Sequence, residues 1–270
     1  MITSTRPVEA GRARPLAALA KAEYLQFRRN KTLVVMGVFF PVGISLGLYF
    51  VSLGQRAPTA ETAALTLEMV ALMGLLFVQY YSVLSMVTTR RGEGVLKRLR
   101  TGEALDWQIL TAPAVPGALV TVASTVVVLA VIYGTGAPAP VNPVAIVLAV
   151  LGGIILFTLL ALATSAVTKN AEAAQITSMP VMTLAMLGLG SIRQILPDQL
   201  AGLVDWTPFA AISDLVYLGA AGRPAVGDPA DMLDFAGTFG MFGRPVATLA
   251  VWTAMALMLT HRSFRWDDRG

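Results

Sequence analysis

The run Thr88–Gln108 holds a cluster of residues suited to gripping another protein. Its centre reads Glu93-Gly-Val-Leu-Lys-Arg-Leu-Arg100. In a short helix Val95, Leu96 and Leu99 share an apolar side, and Lys97, Arg98 and Arg100 lie around the rest. Glu93 falls near the N-terminal end, where the helix dipole favours an anion. A loop that serves topology alone needs only cations. A mixed-charge amphipathic helix between two apolar runs suits a piece that pushes, or is pushed by, something outside the lipid. A second such stretch is Pro15–Lys31, PLAALAKAEYLQFRRNK. Leu16, Leu19, Ala20, Tyr24 and Phe27 fall on one helical face, and Lys21, Gln26, Arg28 and Arg29 lie off it. Pro15 suits the first helical turn. The spacing predicts a helix lying in the membrane interface, with Tyr24, Arg28 and Arg29 as its candidate contact residues.

Other chemistries lack their residues. The four lysines are Lys21, Lys31, Lys97 and Lys169, and none follows a glycine, so the Gly-Lys-Ser/Thr of a phosphate-binding loop is missing. There is no Gly-x-Ser-x-Gly and no His-Glu-x-x-His. With no cysteine and the single His261, no catalytic, cofactor-binding or metal-ligating set is expected. Asp228, Asp231 and Asp234 read as water-facing rather than as a metal site. Gln79 and Ser82 share a face of one apolar run, and Met179, Met182 and Met186 share a face of another. These five are candidate lining for a substrate path, because thioethers adapt to varied ligands. Helix packing is the alternative reading of the same residues.

The elements that must position these groups are apolar helices. The chain has 270 residues, 56% of them hydrophobic and only 13% charged, with mean hydropathy +0.69. Soluble domains average about 45–50% apolar and about 25% charged, so a soluble enzyme and a disordered chain are both excluded. Charge-free runs of about 20 residues mark spanning helices. They predict spans at about 32–53, 66–89, 109–133, 144–167, 173–192 and 245–261. The break between the third and fourth falls in Gly134-Thr-Gly-Ala-Pro-Ala-Pro-Val-Asn-Pro143. The first run is too long and too late for a cleaved leader and reads as a retained span.

The predicted fold is an all-α membrane protein of six spans. Residues 1–31 form a tail with the interfacial helix, 32–261 the spanning domain and 262–270 a second tail. The amphipathic element falls at about 92–101. The segment 193–243 is too interrupted to span and predicts re-entrant or interfacial helices. Of the 20 lysines and arginines, all but Arg56, Arg193, Arg223 and Arg244 fall on the side of the termini. The positive-inside rule therefore places both termini in the cytoplasm of a plasma membrane. The basic balance is one of topology, and no nucleic-acid motif accompanies it. No Asp, Glu, Lys or Arg is expected at the centre of a span, which weighs against an ion-coupled carrier. A membrane-embedded enzyme would need a catalytic cluster that the sequence does not offer.

Several stretches together resemble the membrane subunit of type-2 ABC exporters, the permease family that includes daunorubicin-resistance-type efflux subunits. They are Phe27-Arg28-Arg29-Asn30 before span one, Pro41 within it, Arg91-Gly-Glu-Gly-Val-Leu-Lys-Arg-Leu-Arg100 after span two, Leu196-Pro197 with Trp206-Thr-Pro208-Phe209 after span five, and Phe264-Arg265-Trp266. Thr101-Gly102 stands where the family often has a proline, and Arg29-Asn30-Lys31 where it often has Arg-x-Pro. The resemblance implies that Glu93, Val95, Leu96, Lys97, Arg98 and Leu99 form a coupling helix. That helix would dock on a separate ATP-binding-cassette ATPase, in two copies, which binds ATP and Mg; no cofactor sits on this chain. It also implies pairing with a second permease, and export of a drug, antibiotic or other amphipathic compound across the bilayer. Lipid, glycan or peptide export is the alternative within the same reading.

Overall fold

The computed structural model describes residues 9–29, 31, 35–54, 57–102, 104–227, 232–264 and 266. Thr32, Asp228, Asp231 and Arg265, which bear on the expectations above, lie outside them. Helices are the only regular elements among the described residues, in a multi-pass arrangement of apolar helices.

Helix α1 runs Glu9–Arg29. It starts before Pro15 rather than at it. A π-helical turn, Val35–Phe39, leads into α2, Phe40–Leu53. Helix α3, Ala60–Gly92, is 33 residues long and begins well before the apolar run that marks it in the sequence. Its start is fixed by a cap: the Thr59 hydroxyl accepts from Thr62 N–H at 3.1 Å, and Thr59 N–H donates to Thr62 Oγ1 at 2.9 Å. Glu68 therefore sits inside this helix. Gly74–Tyr81 in its middle forms a π-helical stretch.

Gly94, with φ +68°, ends this course and starts α4, Val95–Arg100. The left-handed backbone suits a residue without Cβ. Short α5, Asp106–Thr111, precedes α6, Ala114–Gly134. Helix α7, Pro143–Ser165, starts where the Asn142 side chain accepts from Val144 N–H at 3.0 Å. Helices α3, α6 and α7 are each long and apolar enough to cross a membrane.

The predicted fifth span is broken into α8 (Ala173–Thr177), α9 (Met179–Leu187) and α10 (Gly190–Arg193). Pro180 opens α9 and the Gly188 break closes it. A Cβ on Gly188 would lie 2.7 Å from Ala210 N, so the chain passes directly over the next buried helix. The following segment forms α11 (Asp198–Val204), α12 (Pro208–Ala221) and α13 (Phe235–Gly240). Asp234 caps α13, accepting from Gly237 N–H at 2.7 Å. Helix α14, Gly243–Ser263, closes the bundle.

Every residue of α12 is buried. Apart from Ser213 and Asp214, its residues are mainly apolar, as suits a helix enclosed by other helices, and it packs on α3, α7 and α14. Gly219 lets it cross the start of α7, where Asn142 N–H donates to Gly219 O at 2.9 Å. This central helix holds the first half of α3 against the rest of the bundle.

Candidate functional site: a coupling element and two ion-paired ends

The end of α3 carries two arginines with different tasks. Arg91 is buried, and its guanidinium donates to Ser165 O at 2.7 Å and to Thr168 O. It thereby satisfies carbonyls at the end of α7, where the dipole also favours a cation. Arg90 points to α1 and forms a two-pronged ion pair with Glu23, itself buried. Two hydrogen bonds in parallel fix orientation as well as distance. These two contacts hold the root of α4 against α1 on one side and α7 on the other.

Leu96 is the anchor of α4 itself. It is 0% exposed and belongs to the hydrophobic core, so its side chain faces inward. Lys97 and Arg98 are exposed on the outer side, and Glu93 is exposed at the junction with α3. Val95 and Leu99 are half-buried and line a cavity of about 470 Å³ shared with Leu19, Glu23, Ser82 and Ser85. Glu93 closes α3 rather than opening α4, because the Gly94 break falls one residue later than the sequence pattern suggests.

Arg100, the last residue of α4, pairs with Asp106 at 3.2 Å. It also lies over the Trp266 ring, 4.6 Å from its centre. Trp266 packs edge-to-face on Phe264 at 5.1 Å. Phe264 and Trp266, just past α14, are therefore seated on the same element.

The expected contact residues of α1, Tyr24, Arg28 and Arg29, are all exposed. The candidate path residues do not come together. Gln79 is fully buried, donating to Thr158 Oγ1 at 2.6 Å and to Ala114 O at 3.3 Å. Ser82 borders the cavity beneath α4 and donates to Phe77 O at 3.1 Å, five residues back across the π-helical stretch. Met179 and Met186 face outward from the subunit, and Met182 is half-buried beside the Ser178 hydroxyl at 3.8 Å.

The opposite end of the bundle holds a charged group that no sequence motif singles out. Arg193 is fully buried, 2.7 Å from Asp205 and 2.5 Å from Asp214. Arg244 at the start of α14 reaches the second oxygens of the same two carboxylates, at 3.0 and 2.8 Å. Four elements, α10, the end of α11, α12 and α14, are thus pinned at one point. Burial alone would lower the Arg193 pKa. Asp214 and then Asp205 outweigh it and raise the value above that of a free arginine. Nearby, the buried Glu68 of α3 accepts from Gly190 N–H at 2.7 Å and from the Ser213 hydroxyl. The one available signal is a carboxylate at the margin of an apolar run, where an uncompensated charge would not be tolerated.

Half of this arrangement is a multi-pass bundle; the other half is a short helix held rigidly at one end of its longest element. The family model of ABC-2 type transporters matches residues 14–217, which takes in α4 and runs from within α1 to within α12. No curated protein matches the chain. With about three quarters of its length inside the match, the chain belongs to the ABC-2 type transporter family and is a membrane permease component of an ABC-type transporter.

Proposed function

We propose that this permease is an exporter half, driven by separate ATP-binding-cassette subunits that dock on α4. The supporting observation is the build of α4: Leu96 roots it, Lys97 and Arg98 are left outward, and Glu23–Arg90 and Arg100–Trp266 tie its two ends into the bundle. A rigid, outward-charged helix at the end of a 33-residue rod passes a push from a partner into the membrane. In this reading the basic end faces the cytoplasm of a plasma membrane, six spans cross it, and two permease copies enclose the path. ATP and Mg belong to the partner. The cargo is an amphipathic, drug-like compound, because the bundle interior offers apolar walls and hydroxyls rather than a continuous charged lining. Transport then requires that ATP and cargo each favour different states of the same assembly.

The test is a Lys97→Glu/Arg98→Glu reversal in the tagged chain, in its own cells. The chain should stay in the membrane, lose the co-purifying ATPase subunit and cease ATP-dependent export. Unchanged co-purification and export would remove α4 from the docking role.

A further inference from the structure

We propose that the groove between α1, α2 and α6 is a binding site for one anionic phospholipid of the surrounding bilayer. The inference needs only the membrane setting and does not depend on the direction of transport. The groove has a volume of about 290 Å³ and is walled by Tyr24, Val42, Pro116, Val120, Ser124 and Val127. Ser124 and the neighbouring Ala123 are small, which makes the floor concave. The wall on α6 runs from Pro116 to Val127. At 1.5 Å per residue that is about 16 Å, close to the roughly 15 Å depth of one leaflet's hydrocarbon, half of the bilayer core. A groove of this length fits an acyl chain lying along the helix.

The headgroup end is marked by charge. Tyr24 borders the mouth, and Arg28 stands one turn further along α1, at the polar margin of the face that carries Tyr24, with Arg29 next to it in sequence. Both guanidiniums are exposed. Neither has an ion-pair partner among the described residues. Paired cations at the interface next to a one-leaflet apolar groove select a lipid phosphate whose net charge is negative. A second copy of the chain is the poorer fit. A twofold contact centred on the mouth would bring the same arginines together without a counterion.

The experiment is native mass spectrometry of the purified chain released from nanodiscs holding equal amounts of phosphatidylglycerol and phosphatidylcholine. The native chain should retain one phosphatidylglycerol in preference to phosphatidylcholine. Arg28→Ala/Arg29→Ala should weaken that retention about ten- to thirty-fold, the effect of two basic residues at a charged surface. Arg28→Lys/Arg29→Lys keeps the charge and should retain the lipid. Ala123→Trp, at an exposed position on the groove floor, should expel the lipid without altering the melting profile. Equal retention of the two lipids, or undiminished retention in the alanine pair, overturns the proposal. So does a disulfide between two chains through Ala123→Cys, a single thiol in a cysteine-free protein, because the groove would then be a subunit contact.

Discussion

Glu23 and Arg90 are 67 residues apart in sequence and joined by two parallel contacts between carboxylate and guanidinium. Their side chains are only 5% and 11% exposed. Breaking such a pair leaves one charge buried without its counterion, which costs about 3–5 kcal/mol. Glu23→Ala should therefore lower the melting temperature of the purified chain by roughly 6–20 °C, at about 2–4 °C per kcal/mol. Glu23→Arg combined with Arg90→Glu should recover part of the loss. If Glu23→Ala melts like the parent, the pair does not hold α1 to α3.

Glu68 is held by a backbone N–H of α10 and a hydroxyl of α12. Glu68→Leu leaves both donors buried and unpaired, at about 1–3 kcal/mol each. Glu68→Gln keeps an oxygen where both donors point and should stay within about 1 kcal/mol of the parent. Parallel thermal melts of the two variants decide it. Equal melting of Leu and Gln would mean that the carboxylate is not what joins the top of α3 to the break after α9.

The difference between what was legible and what was not has a physical pattern. Apolar runs reveal α3, α6 and α7 because lipid demands a whole uncharged turn at every depth, so residue type alone locates them. The period of Val95, Leu96 and Leu99 reveals α4, and the same period hides which of the three is buried. Leu96 turns inward because Arg90 and Arg91 anchor the preceding turn to α1 and α7, and those partners lie 67 to 77 residues away. Hydropathy does not register the turn at Ser178 before Pro180 or the close approach at Gly188, which divide α8, α9 and α10. Asp205 and Asp214 look like interruptions of an apolar stretch. Only the fold brings Arg193 and Arg244 to them.

Arg193 should show no pH dependence in the working range. Its folded pKa is raised above the free value, so the stability it contributes is complete below the free value. That stability fades only as pH climbs through the folded one, in strongly alkaline solution. The penalty of Arg193→Ala, about 3–5 kcal/mol for a buried charge group left incomplete, should be the same at about pH 6 and about pH 9. Melting curves of parent and variant at both pH values measure this. A penalty that halves between them would assign the stabilisation to another titrating group.

Gly117 marks where α6 crosses the π-helical stretch of α3. The crossing is close because Gln79 bonds Thr158 and Ala114 there, and Thr121 donates to Gly74 O at 3.2 Å, a carbonyl in the stretch where the regular helix pattern is interrupted. A Cβ on Gly117 would stand 2.8 Å from Gln79 Oε1 and 2.9 Å from Val78 O, and the second of these is backbone that cannot rotate away. Gly117→Ala should therefore overpack the crossing and cost about 1–3 kcal/mol. Gly134→Ala, at the end of the same helix with nothing within 4 Å, should be neutral or slightly stabilising. The two variants carry the same added methyl, so any difference in their melting temperatures reads the local fit between α6 and the π-helical stretch. Indistinguishable melting would show that α6 has room to move at this point and that the stretch is not clamped by its neighbour.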